Sequence, residues 1–190
     1  MNREVNLGRR LAVYVPAFII LSLLQLRMSL DTALPFPDFL LIFPLLVALW
    51  TPGYDSFFLG LAAGFIRDYA AGRGYGPGML AAMILSLCAN ALAGNGWKNF
   101  AVRGGLLLPG ATMVHELTMA VYAWLIPLDQ NLPSFGTAIK VSFSQLPLKL
   151  AANMAGALAV TGFFSLAFYE RRAGKEAEGL TGIVREVDHD

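Results

Sequence analysis

Six ionisable side chains stand at or inside apolar runs of this chain: Arg27, Asp38, Arg67, Asp68, Glu116 and Lys149. A charge held at the centre of a bilayer costs about 2.5–3.5 kcal/mol on insertion scales, so each is a functional candidate expected to face the interior of a helix bundle. Their depths differ. Asp38 opens a run, Arg27 and Lys149 lie near the ends of runs, and Arg67-Asp68 closes another. These five can snorkel or hydrate at modest cost. Glu116, with His115 beside it, lies near the middle of a run.

The chemistry open to these groups is limited. Neighbouring residues on a helix point about 100° apart, so Arg67 and Asp68 do not pair with each other and each reaches a group on another segment. Asp38 enters from the same side as Arg67 and is a candidate partner for it. Helix–helix locking is the favoured role, ahead of a partner interface and of a solute pathway. For His115-Glu116 the options are a proton-coupled site, a metal site or a buried hydrogen-bonded pair. A metal would need a third ligand, and His189 lies far away near the chain end. A buried or partner-facing glutamate is favoured, and no metal is expected.

Nothing in the sequence forms a Ser/His/Asp arrangement, a phosphate-binding glycine loop or a paired-metal carboxylate cluster, so no catalytic residue and no cofactor are expected. The glycine-rich stretch 72–78 lacks the strand–helix context and the Lys-Ser/Thr of a P-loop and reads as a turn. The net charge of +1 offers no basic field for nucleic acid, and the lone Cys88 excludes an intramolecular disulfide.

The elements that must position these residues follow from composition. Of the 190 residues, 56% are hydrophobic and 14% charged, with a mean hydropathy of +0.58. Soluble domains carry about 25% charged residues, so lipid is the expected solvent. A crossing helix takes roughly 20 apolar residues. That length predicts spans over residues 11–30, 36–50, 57–71, 79–92, 106–128 and 146–169, separated by breaks rich in Gly, Pro, Asn and Asp. The first run is too long for the h-region of a secretory signal and reads as a membrane anchor. The second is short and contains Pro44, which suggests a re-entrant segment, but the charges argue for a full crossing. Arg3, Arg9 and Arg10 flank one end, and Arg171, Arg172 and Lys175 the other. Basic flanks are cytoplasmic, so both termini belong inside and the number of crossings is even.

The predicted class is therefore an all-α integral membrane protein with six transmembrane helices in one compact bundle over residues 1–169. A charged, flexible cytoplasmic tail over residues 170–190 follows it. Between the last two spans, Leu132, Phe135, Ile139, Phe143 and Leu146 recur at helical spacing behind Ser134, a candidate N-cap. They predict an amphipathic helix at the outer interface. Gly60 and Gly64, Ala89 and Ala93, and Gly156 mark faces where helices can approach closely.

The stretch from 37 to 78 resembles the rod shape-determining MreD family. Pro37-Asp38 opens the second span, Gly60 and Gly64 line the third, Asp68 supplies its terminal acid, and Gly72 and Gly76 form the turn that follows. The match covers roughly a quarter of the chain. Arg67 departs from the apolar residue usual before the acid, and the last outer connection and the tail are long.

The resemblance implies a non-enzymatic component of the bacterial cell-elongation machinery in the inner membrane. Its implied partners are an MreC-like scaffold, the peptidoglycan synthase pair and, indirectly, the MreB filament. Apart from the resemblance, the ionisable residues retained near the outer face, Asp38, Arg67 and Asp68, are expected to form a polar lock that shapes a docking surface, with Glu116 buried or partner-facing. The family is similar in architecture to the substrate-binding subunits of energy-coupling-factor vitamin transporters. That alternative would need a polar cavity lined by residues such as Trp124, Asn90 or Asn153. On composition alone, the chain is expected in the membrane fraction, released by detergent and not by high salt. Recovery as a dispersed protein in a detergent-free aqueous fraction would overturn the bundle expectation.

Overall fold

The computed structural model describes residues 7–29, 36–51, 53–71, 76–94, 96–125 and 134–167. Among these residues run seven helices and no strand: α1 (Leu7–Met28), α2 (Phe39–Trp50), α3 (Asp55–Ala71), α4 (Pro77–Ala91), α5 (Trp97–Leu125), α6 (Phe135–Ser144) and α7 (Leu146–Ala167). The proposed tail (170–190), Gly72 and the expected break near Asp129 lie outside the described residues.

Helix α2 occupies the centre because nothing in it can face water. Its sequence, FLLIFPLLVALW, carries no charge and all 12 residues are buried. A helix that is apolar all round has no solvent side to offer. It packs against α1, α3, α4, α5 and α7. Aromatic rings fill the space around it, with Phe43 against Phe164 at 5.6 Å and Trp50 against Phe100 at 5.2 Å between ring centres.

The outside is apolar and the inside holds polar groups. Ile20 and Leu23 on α1 are 63% and 62% exposed, and Leu158 and Leu166 on α7 are 72% and 79% exposed. Ser22, Ser56, Asp68, Ser86, Thr112, His115 and Asn153 are buried. Two helices, α1 and α7, are long and apolar enough to cross a membrane. At about 1.5 Å rise, their 22 residues reach roughly 33 Å, the thickness of a hydrocarbon core. By the same measure α2, α3 and α4, with 12, 17 and 15 residues, reach about 18, 26 and 22 Å.

The expected segments and the helices differ most at α5. Lys98 and Arg103, expected in a connection, lie in its first two turns. Arg103 folds its guanidinium onto the Leu92 carbonyl just past α4, which keeps the charge at the helix–helix junction. Pro109 is accommodated within α5. Of the expected amphipathic helix, Phe135, Ile139 and Phe143 lie on α6, capped by Ser134, whose hydroxyl accepts from the Thr137 amide at 3.3 Å; Leu146 opens α7 instead, and Leu132 lies outside the described residues.

Close approach of α3 and α4 depends on glycine. A Cβ on Gly60 would collide with Ser86 and the Ala82 carbonyl, and one on Gly64 with the Met79 backbone. Gly156 does the same for α7 against Pro37. Ala89 is buried as expected of a packing face, but α4 ends at Ala91, so Ala93 does not extend that face.

Gly64→Val is expected to destabilise the bundle by about 1–3 kcal/mol through overpacking. Gly110→Ala, where added atoms meet nothing within 4 Å, is expected to gain about 0.5–1 kcal/mol of helix propensity. Thermal unfolding in detergent measures both, and equal effects would contradict the close α3–α4 approach.

Candidate functional site

Asp38 is fixed by three elements at once. It caps α2, its carboxylate accepting from the Leu41 amide at 3.1 Å. Its own amide donates to Asn153 Oδ1 on α7 at 2.7 Å, and the next amide, Phe39, donates to Gln25 Oε1 on α1 at 2.8 Å. The start of a fully buried helix thus has its orphan donors satisfied by side chains of two neighbours.

The same carboxylate forms an ion pair with Arg67 from α3. Arg67 also lies 3.4 Å from His115 Nδ1 on α5, and His115 Nε2 lies 3.8 Å from the second Asp38 oxygen. A guanidinium has only donors, so Nδ1 accepts from it and the ring hydrogen of a neutral imidazole sits on Nε2, toward Asp38. One turn along α5, Thr112 accepts from the Asn153 amide at 3.0 Å and donates to the Leu108 carbonyl at 2.9 Å. Glu116 pairs with Lys149 of α7 at 2.7 Å. The cluster is therefore two neutralised ion pairs, a histidine and an amide–hydroxyl bridge joining α2, α3, α5 and α7.

Of the sequence candidates, Asp38 and Arg67 meet as anticipated, and Glu116 lies in the same region with its own cation. Asp68 does not join them. Its carboxylate turns to the start of α4 and accepts from the amides of Gly76 at 2.8 Å, Gly78 at 2.9 Å and Met79 at 3.2 Å. Anionic capping of this kind satisfies orphan amides and complements the helix dipole. Gly76 has a positive φ of 137°, and a side chain on Gly78 would strike the Asp68 carboxylate. Asp68 thus closes the α3–α4 hairpin, and the lock is made without it. Arg27 lies exposed in the last turn of α1, apart from the cluster.

Sequence reasoning missed Gln25 and Thr112, and it considered Asn153 only as a cavity wall. The signal was present: Thr112, His115 and Glu116 share one face of α5, and Lys149 and Asn153 one face of α7. It also missed a second polar group at the opposite end of α2. There Tyr14 and Thr51 hydroxyls lie 2.7 Å apart, Arg10 pairs with Asp55 at 3.1 Å, and Arg9 donates to the Ala167 carbonyl at 3.1 Å. The last contact sets the start of α1 beside the end of α7.

The residues named for a ligand cavity do not share one. Asn90 accepts from the Gly53 amide at 3.0 Å beyond the C-terminal end of α2, whereas Asn153 is bound at its N-terminal end. Trp124 packs on Phe135 at 5.1 Å. Among the described residues no three His, Cys, Asp or Glu side chains gather to hold a metal ion. Compared with protein-family models, curated proteins and solved structures, the chain matches none of them.

Asp38→Ala removes a helix cap and strands the mostly buried Arg67, so a loss of about 2–4 kcal/mol is expected. Arg67→Met in the same chain should recover part of it. A double-mutant cycle on thermal unfolding is expected to return a coupling of about 1–3 kcal/mol, and simple additivity would refute the lock.

Proposed function

We propose that this chain is a multi-pass protein of the bacterial inner membrane, crossing six times with both ends cytoplasmic, that serves cell elongation by docking other membrane proteins. On this proposal it acts as an MreD-like, non-enzymatic component: it binds an MreC-like scaffold and the peptidoglycan synthases held with it, and couples to the MreB filament indirectly. Rod-shape maintenance is the expected cellular outcome.

The observation that carries the proposal is the pairing of polar side chains with one another beneath an apolar exterior. Asp38, Arg67, Glu116, Lys149, Asn153 and Thr112 are engaged internally. Such an arrangement suits a rigid body that offers surfaces to partners. Lipid accounts for exposed Leu, Ile and Phe side chains on α1, α3, α4, α5 and α7. The Arg9–Ala167 contact supports an even number of crossings, with α6 as the interfacial element. The short α2 is consistent with a crossing because its neighbours, and not lipid, surround it.

The resemblance gains support from what its motif residues do. Pro37 packs on Gly156, Asp38 caps α2, Gly60 and Gly64 admit α4, and Asp68 caps α4. The vitamin-transporter alternative is less well supported, since Asn153 and Asn90 are bound to backbone amides at opposite ends of α2.

An affinity-tagged chain, extracted in mild detergent from a rod-shaped host, should co-purify an MreC-like scaffold well above the level found with an unrelated multi-pass protein. Depleting the chain should round the cells. Retention of rod shape after full depletion, with no scaffold enrichment, would remove the proposal.

A further inference from the structure

Helices α5 and α7, with Leu46 of α2, line a cavity of about 140 Å³ near the Trp97 end of the bundle. Its floor is Leu46 of the central helix with Phe100, Leu108 and Ala157. Its rim, formed by Ala101, Gly105 and Leu158, is exposed. A Cβ on Gly105 would meet nothing within 4 Å, and one on Gly104 only Leu49 at 3.6 Å. The cleft is open, apolar and reaches inward to α2.

We propose that this cleft holds one acyl chain of an anionic phospholipid, whose headgroup lies at Lys98. The inference rests on the membrane placement proposed above. The lining favours hydrocarbon: Leu46, Phe100, Leu108 and Ala157 present almost only apolar atoms to the cleft. Charge argues for the headgroup. Lys98 is exposed and adjoins the rim face of α5, one residue after Trp97, which is 54% exposed. Tryptophan and lysine together mark a headgroup level. Arg9, Arg10 and Arg103 stand at the same end of the bundle. That end is cytoplasmic in the proposed topology, and the cytoplasmic leaflet is the one rich in anionic lipid.

The test uses the full chain purified in detergent and titrated with dioleoyl phosphatidylglycerol or dioleoyl phosphatidylcholine. Phosphatidylglycerol should raise the unfolding temperature of the unaltered chain by about 5 °C, and phosphatidylcholine by less than half of that. Gly105→Leu fills the cleft and should abolish the rise, whereas Lys98→Gln should abolish only the difference between the two lipids. Equal rises in the unaltered chain and Gly105→Leu would overturn the inference.

A second readout does not depend on any variant. Phosphatidylglycerol with a diazirine on one acyl chain should label peptides spanning residues 101–108 and 154–161. Labelling confined to other helices, or a dimer that Gly105→Leu dissociates, would assign the cleft to another occupant and also overturn it. Failure here with a detergent-dependent, scaffold-binding chain leaves the cell-elongation proposal standing, whereas recovery without detergent removes both.

Discussion

A helix enclosed on all sides must have the polar groups at its ends satisfied by side chains from neighbours, and α2 imposes that constraint on this bundle. Burying an amide without a partner costs on the order of 1–3 kcal/mol, and the first turn of any helix leaves four of them. At the N-terminal end the answer is Gln25, Asn153 and the Asp38 carboxylate, drawn from α1, α7 and the cap itself. At the C-terminal end, the Thr51 amide closes on Val47, while its hydroxyl meets Tyr14. Every helix that supplies one of these groups is thereby placed in register with α2.

The charges follow from the same constraint. A half-buried Asp38 needs a cation, and Arg67 supplies it from α3; Arg67 in turn meets His115 on α5. Glu116 and Lys149 repeat the arrangement between α5 and α7. Buried ion pairs contribute little net stability against an apolar replacement, because desolvation offsets attraction. The α3–α4 hairpin is secured differently, by backbone proximity at Gly60 and Gly64 and by a carboxylate on amides at Asp68. Asp38 and Asp68 thus have separate jobs, the first pairing with Arg67 of α3 while capping α2 and the second capping α4.

Much of this was legible in the sequence, and the parts that were not have physical causes. Each apolar run became a helix because its length and composition left no alternative, and Ser134 announced α6 by its residue type. The Asp38–Arg67 pair was readable because both charges stand at segment ends on one side. The destination of Asp68 was hidden, since a capping carboxylate and an ion-pairing one look alike until the following turn is placed. Gln25, Thr112 and Asn153 were hidden for another reason: uncharged polar residues are common in apolar helices, and only the three-dimensional register reveals which backbone amide each serves. The start of α5 was misplaced because Lys98 and Arg103 resemble a loop, whereas Arg103 spends its charge on a carbonyl of the preceding helix.

The enclosure of α2 also bears on how the protein is made. Synthesis delivers residues 39–50 early, flanked by α1, α3 and α4, while α5 and α7 come later in the chain. Until then one flank of the central helix, including the side that Phe100, Val160 and Phe164 eventually cover, has no polypeptide against it. The amide of Asp38 likewise waits for Asn153, which is made 115 residues later. Among the described helices, the last to be made thus closes a jacket around one of the first, and a ribosome stalled before that point leaves a product whose middle is still uncovered.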